Sequence, residues 1–396
     1  MPSVNFKIIL KIILIVLTPF FLAACETLNV KPMSVSEQFS REDDETRLWK
    51  RQDEFEETLK KSGFIYQDEE LTKYANEVLH KLAGNFEQPS NVDLRMYIIN
   101  SPDFNAFCLC NGAIFVHTSI LANADNEAQL ATVLAHEATH FLYRHELRAF
   151  RNLKNKGAFL STVQVTLAGA PGGYGDLASL FGQTAIVGSV YGYSRQMERE
   201  ADKNAFDLLI KSGYDPTEAK KFLEKLSEIA NLEDKKIPYF YSTHPRYKER
   251  IRDYEEFIQE LSKEGSAGLS GISNTETYNK MTKGVLIDNT ELEIRANKLK
   301  LAKIGIQKIR GLYPEDFIGY YYSGQREALE NERDEAEKDF KKAIELNQEY
   351  PEAHKGLGML YYKKGDKQLA KPELERYLQL KPDAADANYI RGYINE

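Results

Sequence analysis

What the chain lacks narrows its identity first. Cysteine is nearly absent: Cys25, Cys108 and Cys110 are the only three. An odd count leaves at least one thiol for a task other than pairing. A disulfide between Cys108 and Cys110 would span one residue and be strained, so buried free thiols are expected there. A surplus of positive charge is missing too. Lys and Arg number 52 against 60 Asp and Glu, for a net charge of −8 with both signs spread along the chain. That excludes the basic footprint of a nucleic-acid binder. Beyond residue 24 no stretch is apolar enough to span a bilayer.

What is present suits a folded protein of more than one domain. At 396 residues the chain is too long for one ordinary domain. Its 42% hydrophobic and 28% charged residues are those of a globular protein. Lys7 and Lys11 stand in an apolar run that reaches Ala24, which is the layout of a signal peptide. The run ends Leu22-Ala23-Ala24-Cys25, which resembles the bacterial lipobox. That resemblance implies removal of residues 1–24 and lipidation of Cys25, with residues 25–42 as a polar tether. Glu26, where inner-membrane retention is associated with aspartate, points to the inner leaflet of the outer membrane, with the mature chain facing the periplasm. The alternative is an uncleaved membrane helix, against which Lys11 and Pro19 both stand.

Apolar periodicity predicts helices over 43–62 and 71–82, strands over 92–99 and 113–117, and helices onward to about 262. Residues 157–193 are rich in Gly and small apolar residues, as a flap or loop would be. Polar, Gly- and Ser-containing residues 263–285 read as a linker, separating a domain at 43–262 from another at 286–396. The second contains a repeat. Gly324, Gly358 and Gly392 are 34 apart, as are Ala336 and Ala370, Phe340 and Leu374, Ala343 and Tyr377, and Leu346 and Leu380. That period, with small residues where helices cross, is the tetratricopeptide signature. The plainer alternative is an ordinary helical bundle. A helical segment over 288–310 is expected to pack before the repeats.

His136-Glu137-Ala138-Thr139-His140 is an HExxH sequence within a stretch that Asn126 and Gln129 can cap and Leu130, Val133 and Leu134 can bury. On a helix His136 and His140 lie one turn apart on one side, so both imidazoles reach one cation. Glu137 stands beside them, placed to take a proton from water without ligating the metal. A third ligand must come from elsewhere. His145 lies five residues past His140, and on a continuing helix it turns off the ligand face. A metzincin would need a glycine and then His at position 146, which holds Glu instead. In the later segment 194–206, Glu198 and Asp202 share a helix face while Glu200 points about 200° away from Glu198. From spacing alone this is either a ligand with its hydrogen-bonding partner or a solvated charged face.

HExxH followed by Glu198-Arg199-Glu200-Ala201-Asp202 resembles the HtpX and CAAX prenyl protease family of gluzincins. The resemblance covers roughly residues 45–260. It implies zinc, one ion per chain, held by His136, His140 and Glu198, with Asp202 as the hydrogen-bonding partner. Asn105-Ala106-Phe107 and Gly112-Ala113-Ile114-Phe115-Val116 are similar to the family's strand beside the active site, although Cys108 and Cys110 depart from its pattern. Ser242-Thr243-His244-Pro245 with Arg250 is similar to the family's periplasmic members, which implies an active-site role for His244 as fourth ligand, transition-state donor or gate. Taken alone, a His before Pro is equally a turn residue. Fused to tetratricopeptide repeats, the peptidase resembles BepA-type periplasmic protease-chaperones; a lipobox is a feature of LoiP-type lipoprotein peptidases.

The expected fold is mainly α within the α+β class: a helical gluzincin peptidase domain with a small β-sheet, then an α-helical tetratricopeptide-repeat domain. The implied function is a zinc endopeptidase of the cell envelope acting on unfolded or misassembled envelope proteins, with Glu137, Asp202 and His244 in the catalytic machinery. Partners would include outer-membrane assembly machinery through the repeats and the membrane through the lipid anchor, and no nucleic acid. Substrate is expected to add as a strand near residues 113–117. The alternative is a chaperone or assembly factor with latent proteolysis. A third reading, an intramembrane prenyl-protein protease, has the missing membrane spans against it.

Overall fold

The computed structural model describes residues 30–33, 40–86, 92–155, 193–232, 244, 247–265 and 270–395. The leader at 1–24, Cys25, most of the tether at 25–42 and nearly all of the Gly-rich stretch at 157–193 lie outside the described residues. No helix among the described residues is long and apolar enough to cross a membrane.

Two amphipathic helices open the N-terminal region, α1 (Asp43–Lys61) and α2 (Glu69–Ala83). Both have acidic residues in the first turn and basic ones in the last, which complements the helix dipole. Asp68 caps α2 by accepting from the backbone of Leu71. The strands are β1 (Arg95–Ile99), β2 (Ala106–Cys108) and β3 (Ala113–His117), in the order β1-β3-β2. β1 runs parallel to β3 and β2 antiparallel to it. The β2–β3 turn depends on Gly112. Its φ is +88°, and a Cβ there would stand 2.5 Å from the backbone oxygen of Asp93, so only glycine fits.

This topology corrects one expectation. β3, residues 113–117, is the central strand and is paired on both sides, so it offers no edge to a substrate. The strand with an unpaired edge in this order is β2, buried along its length and too short for alternation to announce.

A short helix, α3 (Thr118–Asn123), leads into α4 (Glu127–Leu142). Asn126 caps α4 by accepting from the backbone N–H of Gln129, as its sequence suggests. All 16 residues of α4 are buried, which marks it as the central helix of the region. Packed on and around it are α5 (His145–Asn155), α6 (Arg195–Lys211), α7 (Thr217–Leu232) and α8 (Tyr247–Glu264).

The C-terminal helices are α9 (Thr275–Arg295), α10 (Leu299–Leu312), α11 (Phe317–Leu329), α12 (Arg333–Leu346), α13 (Pro351–Lys364), α14 (Lys367–Leu380) and α15 (Ala387–Asn395). From residue 275 the stretch expected as linker is helix, with Tyr278 and Val285 wholly buried in the core of the N-terminal region. Their apolar spacing was masked by the polar residues between them. The segment expected at 288–310 is broken at Asn297, whose φ of +56° is a left-handed conformation that Asn tolerates. Polar contacts tie α9 and α10 to the N-terminal region. Tyr278 donates to the Leu121 carbonyl, Thr118 to the Asn289 side chain, and Lys308 to the carbonyls of Ala122 and Ala124.

The 34-residue period reappears as packing. A Cβ on Gly324 would stand 2.8 Å from the Phe340 ring, and one on Gly358 would stand 2.7 Å from Leu374. Equivalent glycines thus let equivalent helices cross at close range, α11 on α12 and α13 on α14. Gly392 has nothing within 4 Å, because no partner helix follows α15 among the described residues.

Candidate metal centre and active site

Three pieces of chain build the site. α4 brings His136, Glu137 and His140, α6 brings Glu198, Glu200 and Asp202, and His244 with Arg250 enters beside and along α8. α6 is fixed at its start by Ser194, which accepts from the backbone of Met197. Its acidic residues therefore face α4 in a fixed register.

His136, His140, Glu198 and His244 each offer a ligand atom, all within 4.8 Å of one another and all buried. His136 Nε2 lies 3.0 Å from His140 Nε2 and 3.2 Å from His244 Nδ1. Glu198 Oε1 lies 3.1 Å from His244 Nδ1 and 3.5 Å from His140 Nε2. Glu137 is fully buried next to this group, and neither of its carboxylate oxygens has a hydrogen-bond partner. Its Oε1 stands 3.4 Å from His244 Nε2.

Proton bookkeeping explains why these atoms converge. His136 Nδ1 lies 3.0 Å from Asp202 Oδ1. Arg250 Nη2 lies 3.2 Å from the same nitrogen, but a bare Nδ1 would set its lone pair against the acceptor-only carboxylate of Asp202, so Asp202 is the acceptor both groups share. The His136 proton therefore sits on Nδ1, and Nε2 presents a lone pair to the cluster. Arg250 grips both oxygens of Asp202, at 2.8 and 2.7 Å. Burial alone would raise the Asp202 pKa, but Arg250 and His136 outweigh it and hold the carboxyl down at about 2. Burial likewise works against the Glu198 carboxylate, and His244 and Arg250 more than compensate, so its pKa is lowered. For His244 burial works against the charged form, yet Glu198 and Glu137 win and raise it. Burial holds His140 well below the usual imidazole range, reinforced by His136 and His145. A neutral imidazole is the form that binds a metal.

The residues present thus fit a divalent ion. Two imidazoles and a carboxylate, with one more imidazole beside them, are the donor types zinc takes. A wholly buried carboxylate with no hydrogen-bond partner, Glu137, has room in its bonding for the water or cation that such a site supplies.

The structure brings together all six residues expected at the site: His136, Glu137, His140, Glu198, Asp202 and His244. Cys25 lies outside the described residues. Cys108 and Cys110 are free and buried, with their thiol pKa values pushed up by burial, and neither joins the ligand cluster. Two features escaped sequence reasoning. α4 ends at Leu142, and Arg144 takes a φ of +54°, so His145 starts a new helix and turns back toward the site. Its Nδ1 lies 2.8 Å from His140 Nδ1, and its Nε2 lies 3.0 Å from Glu200. Tyr193 stacks on the His140 ring at 3.9 Å between centroids. No spacing rule announces either contact, because both depend on where α4 stops.

Residues 69–258 match Peptidase family M48, and residues 324–365 and 356–396 match two tetratricopeptide-repeat families. The chain is 30% identical over 203 residues to the beta-barrel assembly-enhancing protease of Escherichia coli (strain K12), covering 49% of this chain and 40% of that protein. It is 31% identical over 213 residues to the mitochondrial metalloendopeptidase OMA1 of Schizosaccharomyces pombe, covering 53% of this chain and 60% of that one. The matched region therefore spans less than two thirds of either relative. The solved tetratricopeptide protein YrrB aligns with 18% identity over 48% of this chain and 89% of its own, at a TM-score of 0.26, too slight a likeness to add to the family match.

Proposed function

Because this chain carries a peptidase family M48 domain followed by tetratricopeptide repeats, we propose that it is a zinc-dependent endopeptidase acting on unfolded or misassembled proteins of the bacterial envelope. The observation that carries this reading is the convergence of His136, His140, Glu198 and His244 beside the unpartnered, buried carboxylate of Glu137.

In this reading His136, His140 and Glu198 hold one zinc ion. When bound, the ion supplies Lewis acidity, polarising a scissile carbonyl and making water easier to deprotonate. Asp202, itself clamped by Arg250, keeps the His136 proton on Nδ1. Glu137 is the general base, taking a proton at a carboxylate oxygen and returning it to the departing amine. Substrate adds along β2. There the His117 N–H bonds the Asn105 carbonyl, so alternation turns the backbone groups of Ala106 and Cys108 away from β3. Main-chain pairing is tolerant of sequence, which suits unfolded clients. The repeats hold a client or an assembly partner. The leader at 1–24 is removed and lipidated Cys25 tethers the chain to the outer membrane, facing the periplasm; the beta-barrel assembly relative lends support to the envelope location alone.

A second reading rests on one contact. His244 stands within 3.2 Å of His136 and 3.1 Å of Glu198, where it completes a four-donor set. Closed sets are typical of structural zinc, whereas catalytic zinc keeps one position open. His244 therefore acts as a gate, and the chain works as a latent protease or chaperone until a client displaces it.

Casein degradation by wild type, Glu137→Gln and His244→Ala, with and without chelator, tests the proposal. Cleavage by wild type that vanishes in Glu137→Gln and in chelator supports an open endopeptidase. Cleavage by His244→Ala alone supports the gate. Zinc-loaded protein that cleaves in none of the three forms sinks the peptidase reading.

A further inference from the structure

The two α4 histidines are not supported in the same way. His136 donates directly to a carboxylate, Asp202. His140 has no carboxylate at its Nδ1; what faces that nitrogen, 2.8 Å away, is another imidazole, His145. His145 is wholly buried, and its far nitrogen lies 3.0 Å from Glu200 Oε2, which Arg148 also contacts at 2.8 Å.

With both imidazoles neutral, only one proton arrangement satisfies this chain of contacts. Glu200, ion-paired to Arg148, is an acceptor, so His145 must donate to it through Nε2–H. The opposite tautomer would set the His145 Nε2 lone pair against carboxylate lone pairs. With its proton on Nε2, His145 has a lone pair at Nδ1, and His140 must donate its own Nδ1–H there. His140 is then left with a lone pair at Nε2, the atom that meets His136 and Glu198.

We propose that His145 is a positioning residue for His140, an imidazole relay that transmits the fixed orientation of Glu200 and locks His140 in the tautomer and ring angle a metal requires. The inference rests on the metal reading above. α6 then serves both α4 histidines: Asp202 holds His136 directly, Glu200 holds His140 through His145, and Glu198 joins the cluster itself. The break in α4 at Arg144 has a purpose on this view, since a continuing helix would carry position 145 off this face.

The test is zinc affinity by chelator competition in the full chain, alongside the thermal stability and ring-nitrogen NMR of the zinc-free protein. His145→Leu removes the acceptor at Nδ1. His145→Asn also removes the ring but keeps an acceptor, Oδ1, near the same place. Wild type is expected to bind zinc. His145→Leu is expected to bind it about 10- to 100-fold more weakly, the loss typical when a ligand's hydrogen-bonding partner is removed. His145→Asn should stay close to wild type. Glu200→Leu should weaken binding less than His145→Leu does, and should have no further effect in the Asn background. In zinc-free wild type the His140 ring should show its proton on Nδ1, and in His145→Leu a mixture of tautomers.

Equal zinc affinity in wild type and His145→Leu would overturn the relay. So would equal losses in the Leu and Asn variants, which would make the ring mere packing. Should His145→Leu fail to fold, Glu200→Leu in the two backgrounds and the tautomer of zinc-free wild type still decide the matter. A wild type that binds no zinc, yet shows the His140 proton on Nδ1, would count against the metal reading and not against the relay's geometry.

Discussion

The peptidase region and the repeats handle charge in opposite ways. Around α4 and α6, His136, Glu137, His140, His145, Glu198, Asp202, His244 and Arg250 are all at most 5% exposed. In the repeats most ion pairs are partly solvated, as between Lys364 and Glu337, whose side chains are 23% and 25% exposed, with Arg326 and Glu327 a buried exception. The repeat core is apolar, with Gly324 against Phe340 and Gly358 against Leu374. A buried charge costs stability unless it is paired, so nothing in folding alone favours the first arrangement. The contrast shows where folding has been subordinated to chemistry, and where regular packing was sufficient.

The largest effect should come from unbalancing the buried charges. Arg250→Ala strands Asp202 and Glu198 in the core and should destabilise the zinc-free protein by about 3–5 kcal/mol in urea unfolding. A loss under 1 kcal/mol would mean that water reaches the pair and the comparison is weaker than the burial suggests. Next comes packing in the repeats. Gly358→Ala forces a methyl against Leu374 and should cost about 1–3 kcal/mol. Gly392→Ala, with nothing nearby, should be neutral or stabilising by up to about 1 kcal/mol through helix propensity. Equal responses at the two glycines would break the argument from periodic packing.

A pH effect of similar size should arise at His117, away from the metal ligands. Burial pushes its pKa down to about 4, with Lys298 adding to the shift and Asp103 opposing it. The unfolded value is about 6.5, so between the two the unfolded chain binds more protons and stability rises with pH. The neutral form's contribution is full above pH 6.5 and is lost as pH falls toward 4. Between pH 7 and pH 5 wild type should lose about 2 kcal/mol more than His117→Gln. Parallel pH profiles for the two proteins would contradict the assignment. The smallest effect should be Lys364→Ala, at or below about 1 kcal/mol, because its partners are partly solvated.

Much of this was legible in the sequence, for identifiable reasons. HExxH and the later Glu198–Asp202 pair are set by helical periodicity within single helices, and the 34-residue repeat by the recurrence of one helical hairpin. What escaped were facts of termination and tertiary register. His145 reaches His140 only because α4 stops at Leu142. Glu200, which indeed points away from Glu198, has a partner only because α5 lies on that side. β3 looked like an edge because its neighbour β2 is three residues long. The boundary expected at 263–285 is half helix because α9 buries Tyr278 beneath α3. These are outcomes of packing between distant segments, which local pattern does not carry.

The central claim is that nitrogen and oxygen atoms from α4, α6 and His244 converge to hold one metal ion, while the nearby thiols of Cys108 and Cys110 stay out. Metal analysis with X-ray absorption at the zinc edge tests it most directly. The account predicts one zinc per chain, with ligands only at the nitrogen and oxygen distances of about 2.0–2.2 Å, and loss of the metal in a His136→Ala, His140→Ala double variant. A sulfur ligand at about 2.3 Å, or full zinc occupancy in the double variant, would contradict it.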